Sequence, residues 1–390
     1  MKMPPLTLGI EEEYQIINPE TRNLHAYISE LISQDEQKVN PLLLKPEFMQ
    51  SQVEVGSHVC KNIKELRQEV VRLRRAVIKM AEDNDLRIVA ASTHPFAKWE
   101  EQSITEGERY RELLDNMQGV ARRLLIFGMH VHVGFGITED TSPEERLDLQ
   151  NLMVEVMNQV RYFIPHILAL SSSSPFWQGQ VTGLKSYRSV IFEMLPRTGI
   201  PHAFTSWGEY ENYARTLERV GAFGKKDKTA KIWWDIRPHP KFDTLEFRIC
   251  DICTRMDDAI TIAALFQALC AKIVQLRMQN MSWRPYRQLH ITENKWRAMR
   301  HGVAGELIDF GMEEERPYHF LMSEMLDLVD DVVDDLGSRE EIERIRDICE
   351  NGSSADRQLK VYRDAGGDDN REEALKAVVD HLIEDTKLGL

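Results

Sequence analysis

The sequence predicts an α+β fold in which mainly antiparallel strands form a sheet and helices pack against it. Two segments, Leu6–Ile17 and Phe127–Gly136, alternate apolar and polar residues as half-buried strands do. Two others, Trp233–Arg237 and Thr244–Asp251, flank a proline-containing turn and form a predicted hairpin. The chain contains neither GxGxxG nor GxxxxGKS/T, the phosphate loops of many parallel sheets. A doubly wound parallel sheet is therefore the less favoured alternative.

The first half of the chain contains clear periodic segments. In the strand Leu6–Ile17, Leu8 and Ile10 share one face, whereas Glu11 and Glu13 share the other. The spacing of apolar residues by three and four predicts an amphipathic helix farther along. The predicted elements that follow are a strand at Gln52–Val59, a helix at Ile63–Asp83, a strand at Arg87–Ser92 and a helix at Glu108–Leu125.

A long helix is predicted to begin after Ser142. Ser142 and Glu145 fit a capping box, and Pro143 occupies the first helical position. This helix is expected to continue to about Leu170. Further helices are predicted at Tyr210–Val220 and Asp257–Met278.

The last part of the chain is rich in acidic residues at helical spacing, beginning at Leu321. We therefore predict a main domain over residues 1–320. Residues 321–390 are expected to form an acidic helical cap that packs on the same domain.

The composition is that of an acidic globular chain. Lys+Arg 49 against Asp+Glu 63 gives a net charge of −14 over 390 residues, which disfavours a nucleic-acid-binding surface. The most apolar stretch, Ala259–Leu276, is interrupted by polar side chains, so we expect a buried helix and no membrane span. The first nine residues have one lysine and no long apolar run, so we expect no secretory signal there. The five cysteines predict no disulfide framework and favour a cytoplasmic location.

Glu11 and Glu13 are the first candidate site residues. They lie on one face of a strand and are flanked by apolar residues. Carboxylate oxygens are the ligands of Mg²⁺ and Mn²⁺, and two on one face can serve two adjacent ions. The alternative is the polar outer face of an edge strand.

Glu47 and Glu54 are the second candidate pair. They lie seven residues apart in a segment otherwise low in charge, and Glu54 lies opposite Val53 and Val55 in the strand Gln52–Val59. Metal ligands and ordinary surface glutamates are both compatible with this pattern.

His130 and His132 form an HxH pair between Gly128 and Gly134. Because the two imidazoles share one face of a strand, both can reach one site. An imidazole suits Mn²⁺ or Zn²⁺, and a protonated one suits phosphate. Two structural histidines are the alternative.

Glu246 and Arg248 share a face of an apolar strand, and Arg237 comes from the preceding strand. One interpretation is a buried structural ion pair. The other assigns Glu246 to a metal ion and the arginines to phosphate.

Taken together, four strands each present acidic or imidazole groups on one face. Burying these groups unpaired would be costly, and divalent cations would remove the cost. Several cations with arginines make a site that suits a polyphosphate and a carboxylate.

The order of short motifs resembles the second family of glutamate–cysteine ligases, which are bacterial carboxylate–amine ligases of the glutamine synthetase superfamily. The resemblance extends from about Leu6 to about Asp309. The segments that carry it are Gly9–Glu13, Glu47–Glu54, Ser92–Phe96, Gly128–Gly134, Ser174–Gly179, Ser186–Arg188, Asp235–Pro238, Thr244–Arg248 and Trp296–Arg300.

The resemblance implies a fold like the catalytic domain of glutamine synthetase, with a curved antiparallel sheet, ATP at one end and the carboxylate substrate at the other. It also implies Mg²⁺ or Mn²⁺ at two sets of ligands. One ion would be held by Glu13, Glu47 and Glu54. The ion or ions that bridge the ATP phosphates would be held by Glu11, His130 and Glu246.

The other implied roles fall on a histidine and three arginines. The residues expected to contact phosphate or an acyl-phosphate are His132, Arg237 and Arg248, with the two arginines acting in catalysis. Arg188 is expected to bind the substrate carboxylate.

The implied reaction consumes ATP and joins a carboxylate to an amine through an acyl-phosphate, with L-glutamate and L-cysteine as the default substrates. A homodimer is compatible with the family. Two other interpretations remain, a metal-dependent amide hydrolase and a nucleotide-binding relative without turnover. Dependence on ATP would distinguish the hydrolase.

Overall fold

The computed structural model describes residues 2–36, 44–223 and 231–390. Among these residues, the main sheet has seven strands, and every pairing within it is antiparallel. Its strands are β1 (Thr7–Ile17), β2 (Lys45–Pro46), β3 (Gln52–Gly56), β4 (Arg87–Val89), β5 (Met129–Gly134), β10 (Ile236–Pro238) and β11 (Thr244–Phe247). Their order is β10-β11-β5-β1-β3-β2, with β4 paired to the end of β1. The predicted α+β class with mainly antiparallel strands is confirmed.

Shorter strands form three two-stranded pairings outside the main sheet in the described residues. These strands are β6 (Phe176–Trp177), β7 (Gln180–Val181), β8 (Thr198–Gly199), β9 (Trp233–Trp234), β12 (Glu306–Asp309) and β13 (Glu314–Pro317).

Helices surround the main sheet. The helices of the first half are α1 (Ile28–Glu36), α2 (Ile63–Glu82), α3 (Glu108–Met117), α4 (Gly119–Arg122), α5 (Pro143–Val160), α6 (Ile164–Ser171) and α7 (Tyr187–Glu193). Those of the second half are α8 (Trp207–Arg219), α9 (Met256–Met278), α10 (Gln288–His301), α11 (Tyr318–Leu336), α12 (Arg339–Glu343), α13 (Ile345–Asn351), α14 (Ser354–Asp364) and α15 (Arg371–Lys387).

The predicted long helix after Ser142 starts where expected but is not continuous. Ser142 Oγ accepts the N–H of Glu145, and Pro143 lies in the first turn of α5. A 3₁₀ turn at Arg161–Phe163 separates α5 from α6. Pro165 lies in the first turn of α6 and has no N–H, so it cannot donate the hydrogen bond that would continue the α-helix.

Two other predicted elements differ from the structure. The helix predicted over Glu108–Leu125 is broken at Gln118, whose φ of 49° is left-handed, and becomes α3 and α4. The strand predicted to reach Val59 ends at Gly56. The chain then turns so that Cys60 pairs with Leu8 through both backbone groups.

The core lies on the face of the sheet that carries Leu8, Ile10 and Tyr14, all of which are buried. Helix α9 packs against this face and against α2, α5 and α11. By length and composition α9 could cross a membrane, but 83% of its most apolar stretch is buried inside the protein. The predicted buried helix is confirmed.

A buried ion pair crosses this core. Glu12 lies on the same face of β1 as the core residues, and Arg74 of α2 donates to both of its carboxylate oxygens. Arg74 also donates to the carbonyls of Cys253 and Thr254, immediately before α9. The pair therefore ties β1 to α2 and to the segment that leads into α9.

The helices from Tyr318 onward pack on two places in the main body. Helix α11 lies against α9, and α15 lies against β4. The residue boundary 320/321 predicted from the sequence falls inside α11. A second hydrophobic cluster joins Ile17 and Val89 to apolar residues of α15 such as Val378 and Leu382.

Candidate active site

The register of the sheet brings the acidic residues of β1 next to groups from two other strands. Glu11 pairs directly with His130 of β5. Glu13 pairs with Glu54 of β3. Because directly paired residues of antiparallel strands point to the same face, these side chains form adjacent rows on the face opposite the core.

The predicted hairpin contributes further side chains to the face of the sheet opposite the core. Glu246 pairs with His132 on one side and with Arg237 on the other. Glu246 Oε2 accepts a hydrogen bond from Arg237 Nε at 2.6 Å, and Oε1 accepts one from Arg248 Nη1 at 2.5 Å. The ExR motif and the preceding strand thus meet as the sequence suggested.

One group of ligand atoms, called here the imidazole cluster, consists of Glu11, His130, His132 and Glu246. Single ligand atoms from Glu11, His132 and Glu246 lie within 4.8 Å of one another. His130 Nδ1 lies 3.2 Å from Glu11 Oε2 and 3.8 Å from Glu246 Oε1. The three-residue group thus contains His132, whereas the sequence assigned His130 to the metal and His132 to phosphate. Both imidazoles lie close enough to Glu11 to contribute.

Burial and charge set the protonation of the imidazole cluster. Burial opposes ionisation of Glu246, but Arg248 and Arg237 outweigh it and hold its pKa well below the ordinary value. Burial, together with the charge of Arg248, lowers the pKa of His130 to about 4. At pH 7, therefore, Glu246 is a carboxylate and His130 is a neutral imidazole with a lone pair to offer a cation.

A second group, the carboxylate cluster, consists of Glu13, Glu47 and Glu54. One oxygen from each lies within 4.8 Å of the others. Glu13 Oε2 accepts hydrogen bonds from the backbone N–H of Gly128 at 2.6 Å and from Gln52 Nε2 at 3.0 Å. These two bonds fix the carboxylate of Glu13 in the sheet.

The three carboxylates of the carboxylate cluster are buried close together, which raises their pKa values. Burial and the charge of Glu54 raise the pKa of Glu13 to about 7. Burial and the charge of Glu13 raise the pKa of Glu47, and burial and the charge of Glu47 raise that of Glu54 well above the ordinary value. Carboxylates that gather in this way retain protons unless a cation replaces them.

Both clusters fit divalent cations. The carboxylate cluster offers three oxygen donors, which is the donor type that Mg²⁺ and Mn²⁺ take. In the imidazole cluster, the buried His132 Nε2 has no hydrogen-bond partner in the described part of the chain and lies 3.8 Å from Glu11 Oε2. A buried ring nitrogen that has no hydrogen-bond partner and lies near a carboxylate is the arrangement expected of a metal ligand.

Arg188 is held beside the clusters by its backbone and its guanidinium. Its N–H donates to Ser174 Oγ, and its guanidinium donates to the carbonyls of Arg248 and Ile249. A Cβ at Gly128 would lie 2.7 Å from Arg188 Nη2, so glycine is required for this close approach. The buried Nε of Arg188 has no hydrogen-bond partner among the described residues.

Hydrogen bonds to Asp251 hold the loop that carries Ser174 in place. The carboxylate of Asp251 accepts hydrogen bonds from the N–H of Ser173 and from the hydroxyls of Ser174 and Ser186. The serine-rich run Ser171–Ser174 is therefore a buried, hydrogen-bonded support for Arg188.

A cavity of about 570 Å³ covers the polar face of the sheet. Every site residue predicted from the sequence lines it except His132, which lies beside it against the rings of His239 and Phe242. One wall of the cavity is apolar and comes from α3, from the segment before β5 and from α7, with Leu113, Ile126 and Phe192 as examples.

The sequence did not single out several polar residues that line the cavity, among them Gln52, Lys45 and Arg109. Gln52 shares a face of β3 with Glu54, so its period-two spacing was a usable signal. Lys45 and Arg109 come from a short edge strand and from the first turn of α3, and no local pattern marks them as site residues.

Comparisons with known proteins agree with the motifs. The family described as Glutamate-cysteine ligase family 2 matches residues 7–381. A protein of Herpetosiphon aurantiacus is 50% identical over 99% of this chain and 94% of its own length, and one of Solibacter usitatus is 48% identical over 99% and 95%. Both are provisionally named glutamate–cysteine ligase 2.

Two solved structures share the fold. A glutamate–cysteine ligase from Francisella tularensis, in complex with AMP, aligns with a TM-score of 0.65 and 13% identity over 99% of this chain and 90% of that one. A bifunctional glutathione synthetase from Pasteurella multocida aligns with a TM-score of 0.64 and 16% identity. This chain is covered to 98% in the second alignment but spans only 52% of the bifunctional protein.

Proposed function

Because the chain belongs to glutamate–cysteine ligase family 2, we propose that it is an ATP-dependent ligase that joins a carboxylate to an amine. L-Glutamate and L-cysteine are the proposed substrates, and γ-glutamylcysteine, ADP and phosphate are the proposed products. We also propose that the sheet and its helices are related to the catalytic domain of glutamine synthetase. The free thiols of all five cysteines support a cytoplasmic location.

One observation carries the proposal. Two separate clusters of cation ligands lie side by side on one face of the sheet, at a cavity that four arginines also line. Phosphoryl transfer to a carboxylate brings a polyphosphate and a second anion together, and the reaction depends on positioning and on charge neutralisation. The paired clusters and the arginines match that requirement.

The close approach of the ligand atoms in each cluster supports a proposal for the metal sites. We propose that Glu13, Glu47 and Glu54 hold one divalent cation. The imidazole cluster would hold the cation or cations that meet the phosphates of ATP. Bound cations would supply charge neutralisation at the phosphates and at the substrate carboxylate.

The arginines have distinct tasks in this proposal. Arg188 is fixed by three hydrogen bonds and is proposed to bind the substrate carboxylate. Arg237 and Arg248 are both aligned by Glu246 and are proposed to stabilise negative charge on the phosphoryl group as it is transferred. Since Glu246 fixes two guanidiniums at once, it pre-organises both of them.

The reaction then has two steps. A substrate carboxylate oxygen attacks the γ-phosphorus of ATP, which forms an acyl-phosphate and releases ADP. The amine next attacks the acyl carbon, and phosphate leaves with the bonding electrons as the amine loses a proton. The chain need not supply a nucleophile, because both nucleophiles come from the substrates.

The test is phosphate release from ATP with Mg²⁺ or Mn²⁺ across a panel of acids and amines that includes L-glutamate and L-cysteine. Release that requires both an acid and an amine, with the amide identified by mass spectrometry, would establish the activity. Amide hydrolysis without ATP would contradict the proposal.

A matched pair of variants links the activity to the site. Glu246→Gln should lower turnover at least about 100-fold, because it removes a charge that two arginines require. Glu139→Gln changes an exposed turn residue between β5 and α5 and should leave turnover unchanged. Full activity of Glu246→Gln would exclude this residue from the site.

A further inference from the structure

Lys45 connects the two clusters. It lies in the edge strand β2, in register with Glu54. Its Nζ lies 2.6 Å from Glu54 Oε1 in the carboxylate cluster and 3.1 Å from Glu11 Oε1 in the imidazole cluster.

The ammonium of Lys45 is a positive charge at the end of a flexible side chain, so its position can change. An ammonium has three N–H donors, and Glu54 and Glu11 engage two of them. The side chain is 49% exposed and lines the cavity, so a ligand can reach it.

Both partners of Lys45 are proposed metal ligands. The ammonium therefore occupies carboxylate oxygens that a divalent cation would also use. An ammonium and a metal ion that contact the same carboxylate oxygen lie so close that their positive charges repel each other. Each of them therefore weakens the binding of the other. Binding of cations thus releases the ammonium from at least part of its present contacts.

We propose that Lys45 is a tethered cation with two positions. In one position its ammonium bridges the carboxylate cluster and the imidazole cluster through Glu54 and Glu11. Once cations occupy the clusters, its ammonium contacts the phosphate that is transferred from ATP to the substrate carboxylate. This second part rests on the proposed ligase function.

The location of Nζ favours phosphate as the ligand. The imidazole cluster is the proposed contact for the phosphates of ATP, and Arg188, the proposed contact for the substrate carboxylate, lies beside both clusters. The phosphoryl group passes from ATP to that carboxylate, and Nζ contacts both clusters. Lysine is a point charge that binds phosphate oxygens from several directions, and its long stem can follow a group that moves.

The experiment compares Lys45→Met with Lys45→Arg and with Lys79→Met, an exposed lysine on α2. The first measurement is Mn²⁺ binding without nucleotide, by calorimetry. Loss of the competing ammonium should lower the Kd of Lys45→Met about tenfold, and Lys79→Met should match the wild type.

The second measurement is kcat at saturating metal, ATP, acid and amine. Lys45→Met should lose about 100-fold, and Lys45→Arg should recover part of the rate because it restores the charge. The alternative is that Lys45 only neutralises the carboxylates. Saturating metal ions would then take over this task, and the kcat of Lys45→Met would stay within about threefold of the wild type.

The outcomes separate this inference from the proposed function. A kcat of Lys45→Met near the wild-type value, or an unchanged or weaker Mn²⁺ affinity, would overturn the inference even if the ligase activity is established. Absence of turnover in the wild type with every acid and amine would refute the proposed function instead. The Mn²⁺ titration would still decide whether Lys45 competes with the metal.

Discussion

Replacement of Arg74 by methionine should destabilise the protein strongly, because it would leave Glu12 charged inside the core. The side chains of Arg74 and Glu12 are 1% and 2% exposed. Arg74 donates to both oxygens of Glu12 and to the carbonyls of Thr254 and Cys253. Tyr14 also donates its hydroxyl to Glu12, but a hydroxyl does not neutralise a carboxylate.

The magnitude follows from these contacts. Methionine nearly fills the volume of the arginine stem, so cavity formation contributes little. Removing one partner of a buried ion pair costs about 3–5 kcal/mol, because the remaining charge stays desolvated. That loss is a large part of the about 5–15 kcal/mol by which folded proteins are commonly stable.

The assay is urea unfolding followed by tryptophan fluorescence, with the free energy of unfolding compared among three proteins. They are the wild type, Arg74→Met, and the double variant Glu12→Gln/Arg74→Met. The double variant removes the uncompensated charge, so it should recover about half of the loss or more. If it is as unstable as Arg74→Met, the penalty comes from packing and not from the buried charge, and the reasoning fails.

The remaining predictions concern the site. Gly128→Ala should raise the KM for the acid substrate about tenfold with little change in the KM for ATP, because the new Cβ would push the guanidinium of Arg188 aside; an unchanged KM for the acid would exclude Arg188 from binding it. The affinity for Mn²⁺ should increase between about pH 6 and pH 8, since Glu13, whose pKa burial and Glu54 raise to about 7, must lose its proton to bind a cation. The increase should approach about tenfold per pH unit below pH 7 and level off above it. Calorimetric titrations at three pH values would measure it, and a constant affinity would show that Glu13 is not a ligand.

Local periodicity was enough to predict much of the fold. The strand at β1 and the helices α2 and α9 lie where their apolar spacing indicated, because each buries one continuous face or is buried all round. Interruptions were harder. Pro165 lies in the first turn of α6 and Gln118 directly follows α3, and the helical pattern of the sequence runs on past both breaks. These breaks therefore depend on backbone conformation and not on side-chain period.

The candidate site was predictable one strand at a time. Alternation within a strand placed Glu11 with Glu13, and it could have placed Gln52 with Glu54. The register between strands could not be read from spacing, because it depends on pairing partners distant in the chain. For this reason the contact between Lys45 and the two clusters, and the inclusion of His132 beside Glu11, emerged only from the structure. The metal and phosphate roles of these residues stay predictions.

The packing of α15 against β4 has a consequence for biosynthesis. The N–H of Ala90 just after β4 donates to Thr386 Oγ1, and Ile17 and Val89 are covered by apolar residues of α15. The partners Ala90 and Thr386 are 296 residues apart in the chain, so a ribosome has to translate all of these residues before this flank of the sheet is covered. Until then the nascent chain exposes the edge strand β4 and an apolar patch, and such features promote aggregation. The ends of β1 and β4 can therefore be covered by α15 only after residue 386 has been translated.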